Sequence, residues 1–231
     1  MFDISPTEWT AILLSLRVAV IATLVATPFG IALAWLLARR NFWGKSILDA
    51  AVHLPLVLPP VVTGYLLLLT FGRRGMVGAW LAENLGIVFA FRWTGAALAC
   101  GVMSFPLLVR PIRLSIEAVD RRLEQASSTL GAAPWQVFAT VTLPLALPGI
   151  LAGMVLGFAK AIGEFGATIT FVSNIPGETQ TISSAIYSLI QTPDGDTAAL
   201  RLVIVSIVIA MSALIASEFF ARRATRRLHG N

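Results

Sequence analysis

LEQASSTLGAAPWQVFATVTLP, from Leu123 to Pro144, interrupts a chain that is otherwise apolar enough for lipid, and its reading decides the fold. Counting from Ile112, apolar residues fall at Ile112, Ile116, Val119, Leu123, Ala126 and Leu130, while Glu117, Asp120, Arg121, Glu124, Gln125 and Ser128 take the opposite face. That alternation of four and three is the period of an amphipathic helix, with Glu117 and Arg121 in the favourable i,i+4 order. Gly131 can end the helix, because glycine accepts the left-handed conformation a C-cap needs. Pro134 stands where a proline starts a new helix. WQVFATVTL continues this second short helix, and Pro144 marks its junction with the next apolar block. On periodicity alone, a helix lying on a membrane surface fits equally well.

The rest of the chain supplies the membrane. Of 231 residues, 57% are hydrophobic and 13% charged, with a mean hydropathy of +0.82. A soluble domain carries about a quarter charged residues. Five apolar blocks run from about Ala11 to Ala38, Ile47 to Phe71, Trp93 to Val109, Leu145 to Val172 and Ala198 to Ala221. Each approaches the roughly 20 residues a spanning helix requires. The second holds Pro55, Pro59 and Pro60, so a bent or interrupted helix is expected there.

The basic residues orient the bundle. Arg39, Arg40 and Lys45 follow the first block, Arg110, Arg113, Arg121 and Arg122 the third, and Arg222, Arg223, Arg226 and Arg227 the fifth. Lys and Arg mark cytoplasmic loops. The expectation is an all-α polytopic membrane bundle of about five transmembrane helices, N-terminus outside and C-terminus cytoplasmic. Trp9 and Trp93 fall near the outer edges, and Trp35 and Trp43 near the inner one. On the outer side, Ile182, Ala185, Ile186, Leu189 and Ile190 form one apolar helical face. That helix is too short to span and is expected on or in the outer interface, between turns at NIPGET and TPDGD.

Other function classes are weakly represented. The net charge of +5 is used in orienting the chain, which argues against a nucleic-acid partner. Cys100 is the single cysteine, and His53 and His229 are too separated for a metal cluster. The acidic start, MFDISPTEW, is unlike a secretory signal. GKS at Gly44–Ser46 mimics the end of a phosphate-binding loop, but Arg39 stands where that loop needs its first glycine. No H-E-x-x-H, G-x-S-x-G or acidic metal cluster supports an intramembrane enzyme.

Glu124-x-Ala126, Gly131 and Val141-x-Leu143-Pro144 resemble the EAA signature of permease subunits in bacterial binding-protein-dependent ABC importers. Gln125 and Val141 depart from the usual Ala and Ile there; Gln remains a good helix former and Val keeps the apolar contact. HLPLVLPPVVTGYLLL, GRRG, MSFPLLVRPIR and GEFGATITFVSNIPGETQTI extend the resemblance over essentially the whole chain, toward permeases of molybdate importers, with sulfate and tungstate permeases the nearest relatives.

The resemblance implies one permease domain over residues 1–231, with residues 112–144 a cytoplasmic coupling loop that docks on a separate ATPase. Glu124, Gln125, Ala126, Leu130, Gly131, Ala132, Leu143 and Pro144 are its implied coupling residues. Glu124 presents charge at the docking surface, Ala126 permits close approach and Gly131 sets an elbow. Implied partners are a second copy of the chain, two ABC ATPase subunits that bind ATP and Mg, and a periplasmic oxyanion-binding protein. The implied substrate is molybdate, with tungstate or sulfate as alternatives, and the implied location is the bacterial inner membrane. The rival class is an intramembrane enzyme, and a third class, an ATP-independent transporter, would lack the elbow.

A path for an oxyanion is expected on the twofold axis of a pair, closed pairing being the commonest way to enlarge an assembly. Candidate lining or gate residues are Thr63, Ser104, Lys160, Gly163, Glu164, Thr168 and Thr170. Lys160 and Glu164 are ionisable in an apolar stretch, which is costly and often functional; the plainer reading is a pair that neutralises itself. Glu164 is expected near a gate and not as an oxyanion ligand, because like charges repel. The hydroxyls could equally bond only to backbone carbonyls. Arg73, Arg74 and Arg92 fit either docking of a binding protein or a solvated surface.

Overall fold

The computed structural model describes residues 4–228, with side chains as far as residue 216; His229 and the side chains of Arg222, Arg223, Arg226 and Arg227 lie outside it. Every regular element among the described residues is helical. α1 (Pro6–Arg39) opens on a capping box. Ser5 Oγ accepts from the Glu8 N–H at 3.3 Å, and the Ser5 N–H donates to Glu8 Oε2 at 2.6 Å, satisfying amides that a helix start leaves unpaired.

α2 (Lys45–Val57) and α3 (Pro60–Phe71) divide the second block and meet at 114°. The expected bend is present, and it is a full break. Pro59 and Pro60 remove two successive amide donors, and each pushes the residue before it out of the helical region. α4 (Met76–Leu85) is a short helix outside the five apolar blocks.

α5 (Trp93–Ala118) is the axis of the fold. It runs unbroken through Pro106 and Pro111, past the expected end at Val109. α1 and α8, the latter described below, both pack along it and also against each other. The α8 contact is backbone to backbone: a Cβ on Gly153 would stand 2.6 Å from the Leu108 carbonyl oxygen, and one on Gly149 2.7 Å from that of Pro111. Small residues let helices meet this closely in lipid, where hydrophobic attraction between them is absent.

The single amphipathic helix expected from Ile112 to Leu130 is two helices. α5 ends at Ala118, and α6 (Arg121–Thr129) starts on Asp120, whose Oδ1 accepts the Arg122 N–H at 2.9 Å. Asp competes for backbone amides and so favours an N-cap over a helix interior. The expected Glu117–Arg121 pair gives way to Arg113 Nε–Glu117 Oε1 at 2.8 Å within α5. Arg113 also reaches Asp49 on α2 at 3.0 Å.

α7 (Pro134–Val137) begins on Pro134 as expected. A π-turn (Phe138–Thr142) then leads directly into α8 (Leu143–Ile162). Pro144 is therefore not a junction: it sits inside continuous helix. The Leu143 N–H reaches back to the Phe138 carbonyl, and the widened turn accommodates the amide that Pro144 lacks.

The fourth block also breaks. α8 stops at Ile162, and α9 (Gly166–Val172) resumes after Gly163–Phe165. α10 (Ile182–Leu189) does more than lie on an interface. Ile182 and Ala185 are buried between α1 and α11 (Asp196–Leu228), with the Ile182 N–H donating to Ser15 Oγ at 2.7 Å. Turns with Gly177 at φ +80° and Asp194 at φ +63° flank α10. At the same end, Arg201 on α11 pairs with buried Glu8 on α1 at 3.0 Å. Among the described residues, four helices are long and apolar enough to cross a membrane, and the bent α2–α3 pair makes a fifth if counted as one span.

Candidate functional site

The elbow formed by α6, α7 and the π-turn stands at the end of α1 that carries Arg39 and Arg40. Its corner is a Schellman motif: the Gly131 N–H donates to the Ser128 carbonyl at 3.0 Å and the Ala132 N–H to that of Ser127 at 3.2 Å. Gly131 sits at φ +90°, the left-handed region open to glycine at little cost. Gln136 Oε1 accepts the Ala133 N–H at 2.7 Å and fixes the start of α7.

One carboxylate holds the elbow to the bundle. Glu124 Oε1 accepts from Arg39 Nη2 at 3.0 Å, from Arg39 Nε at 3.2 Å and from Thr142 Oγ1 at 2.6 Å. Arg39 Nη2 also donates to the Val119 carbonyl at 3.2 Å, where α5 ends. Four elements thus meet on one ion pair, whose side chains are 10% and 18% exposed. This corrects the expected role of Glu124: its charge points inward and is spent on its own chain. An Arg–carboxylate contact gives direction as well as attraction.

The outward face of the elbow is carried by other residues. No residue of α6 is buried; Gln125 and Ala126 are open, Leu123 is half-exposed, and Leu130 and Trp135 are 89% and 70% exposed. Gly131 is exposed, Ala132 and Leu143 are partly covered, and Pro144 is exposed. A cleft of about 520 Å³ lies behind this face, between Arg39 and Arg40 on one wall and Gln125, Ser128 and Phe138 on the other. Leu123, Leu130 and Trp135 are thus exposed apolar side chains on a hairpin whose α6 is otherwise polar or charged.

The second locus is the break between α8 and α9. Lys160 Nζ lies 2.7 Å from Glu164 Oε2, and the Glu164 side chain is 1% exposed. Glu164 Oε1 accepts the Ala167 N–H at 3.0 Å, tying the carboxylate to the first turn of α9. Gly163 ends α8. α3 crosses here, with Gly64 against Ala167 and the Thr170 side chain. Thr168 Oγ1 donates to the Phe165 carbonyl at 2.9 Å and Thr170 Oγ1 to that of Gly166 at 2.8 Å. Ser104, apart from this crossing on α5, donates to the Gly101 carbonyl at 3.2 Å. Backbone bonding accounts for these three hydroxyls. Thr63 differs: its buried hydroxyl has no partner among the described residues.

Three contacts escape a reading by local pattern: Arg39–Glu124, Arg113–Asp49 and Glu8–Arg201. The only signal for them is that each residue is a charge within or beside an apolar helix, where an unpaired ion is costly. Among the described residues, no cluster of His, Cys, Asp and Glu has the arrangement of a metal site.

The described residues form a bundle of apolar helices, broken between α2 and α3 and between α8 and α9, with an exposed two-helix hairpin at one end, the build of a membrane protein. The chain belongs to the family of binding-protein-dependent transport system inner membrane components, whose profile matches residues 26–226. It is 62% identical over 220 residues to the molybdenum transport system permease protein ModB of Escherichia coli strain K12, covering 95% of this chain and 96% of that one. It is 56% identical over 221 residues to ModB of Haemophilus influenzae, covering 96% of each. A probable sulfate transport system permease, cysT of Chlorokybus atmophyticus, is 38% identical over 189 residues, covering 82% of this chain and 66% of that one.

Among solved structures, a bacterial ABC transporter involved in alginate import matches with a TM-score of 0.74 at 20% identity, over 95% of this chain and 80% of that one. The inward-facing MetNI methionine ABC transporter matches with a TM-score of 0.74 at 15% identity, over 97% and 100%. Both share the fold.

Proposed function

We propose that this chain is the permease subunit of an ATP-driven molybdate importer in the bacterial inner membrane. The observation that carries this reading is the 62% identity to a molybdenum permease along nearly the full length of both chains. The exposed elbow supplies the mechanical part. Two copies pair about a twofold axis, two ATPase subunits bind ATP with its magnesium and grip the elbows, and a periplasmic binding protein delivers the oxyanion at the opposite face.

Closure of the ATPases displaces α6, and the displacement reaches the spans by two routes. One runs through the π-turn into α8, the other through Glu124 and Arg39 into α1. The first is a covalent helix and the second an ion pair that also takes in the end of α5. Alternating access then follows from rigid-body motion of packed helices, which shift between discrete arrangements.

An oxyanion in transit needs donors and modest positive potential without tight binding. Glu164 suits a gate in this reading: its charge is already matched by Lys160 and an α9 amide, so it neither traps nor strongly repels the anion. Sulfate is the second reading, supported by the likeness to a sulfate permease at lower identity. Uptake of labelled molybdate, tungstate and sulfate by vesicles holding the complete complex decides between them. ATP-dependent molybdate accumulation is expected; accumulation that persists with a disabled ATPase, or that is confined to sulfate, overturns the proposal.

A further inference from the structure

A second cavity lies away from the elbow and from the α8–α9 break. It is an apolar groove of about 670 Å³ on the side of the bundle, between α1, α2 and α5. Its walls are two stripes in register: Ile21, Val25 and Phe29 on α1, and Ala97, Gly101 and Phe105 on α5. Residues four apart share a helix face, so each stripe is continuous. Phe29 and Val25 are 66% and 58% exposed.

The groove has a charged end. Arg17, one turn before Ile21, lays its guanidinium 3.8 Å from the centroid of the Trp93 ring at the start of α5. Arg17 is exposed, and no carboxylate among the described residues is within ion-pairing distance of it. Trp93 holds the side chain by a cation–π contact, which leaves the guanidinium donors free. Arg92, also exposed, directly precedes Trp93 in the chain.

From Arg17 to Phe29 the helix rises about 18 Å, close to the roughly 15 Å depth of one leaflet's hydrocarbon. We propose that this groove binds one anionic phospholipid, with an acyl chain along the Ile21–Phe29 and Ala97–Phe105 stripes and its phosphate on Arg17. Guanidinium donors suit a phosphate in bidentate geometry. A second copy of the chain fits less well, because it would have to bring a carboxylate to Arg17. Among the described side chains, the acids without an ion pair or capping bond are Glu83, Glu178, Asp194 and Asp196, and these lie on α4, in turns or at the tip of α11.

Native mass spectrometry of the full-length chain, purified from membranes in mild detergent and offered phosphatidylglycerol and phosphatidylethanolamine together, tests the proposal. Preferential retention of phosphatidylglycerol by about fivefold is expected, the worth of one basic residue near an anionic surface. Arg17→Gln abolishes the preference, while Arg17→Lys, which keeps the charge, preserves it. Gly101→Leu fills the groove, since a Cβ there meets nothing closer than 3.9 Å, and lowers retention of both lipids. Equal retention by the unaltered chain, or an unchanged ratio in Arg17→Gln, overturns the assignment. So does oxidative crosslinking of Val25→Cys between two copies in membranes, which makes the groove a protomer interface.

Discussion

Arg39 and Glu124 stand 85 positions apart and meet at 3.0 Å, joining the end of the first span to the hairpin between α5 and α8. Arg39→Ala leaves the Glu124 carboxylate mostly buried with Thr142 as its only side-chain partner, at a cost of about 1–3 kcal/mol. The expected result is a looser elbow: ATP hydrolysis by the assembled complex continues while substrate uptake falls. Parallel assays of hydrolysis and uptake check this. A cycle with Glu124→Gln isolates the coupling between the two residues.

Gly131 makes a sharper test, because a Cβ there meets no atom within 4 Å. Within the chain, Gly131→Ala therefore adds only backbone strain at φ +90°, about 1 kcal/mol. Reduced uptake with an unchanged amount of folded protein is expected, and Gly131→Asn is expected to retain more activity than Gly131→Ala. Uptake rates of the two variants in the same vesicles make the comparison.

Leu130 and Trp135 are so exposed that neither contributes much to folding. Leu130→Asp and Trp135→Asp are expected to leave thermal stability within about 0.5 kcal/mol of the parent. Both are expected to lose co-purification with an ATPase subunit. Retained co-purification in the double variant would remove this face as the docking surface.

Lys160 and Glu164 separate a structural pair from a transport element. Lys160→Ala strands the Glu164 carboxylate, 1% exposed, within the bundle and is expected to destabilise by about 3–5 kcal/mol. Lys160→Met with Glu164→Met restores thermal stability, because an apolar pair of similar volume replaces the ions. Uptake in the restored double variant is expected to stay low; full uptake there would make the pair purely structural.

The spans were legible because about 20 consecutive apolar residues have few other uses, and Gly131 and Pro134 were legible because each has a narrow conformational role. Asp120 shows the limit. Its capping bond to Arg122 competes with a helix period that reads continuously from Ile112 to Leu130, and periodicity cannot register a two-residue break. Pro144 misled in the opposite sense, since a π-turn lets a helix pass through a proline without leaving a mark in the pattern. Glu124 was found by motif, but its direction was not: the partner that turns it inward is Arg39, set by tertiary packing. The hydroxyl candidates for the path rest only on polar side chains in apolar surroundings, a rule that selects Ser104 and Thr168 as readily as Thr63.

The Glu8–Arg201 contact joins positions 193 residues apart. A ribosome adding about 5–20 residues per second leaves Glu8 waiting on the order of 10–40 s for its arginine. Through that interval the nascent first helix carries an acid with no counter-ion, and only the finished polypeptide conceals it. A product truncated before α11 lacks Arg201, the one cation that pairs with Glu8 among the described residues.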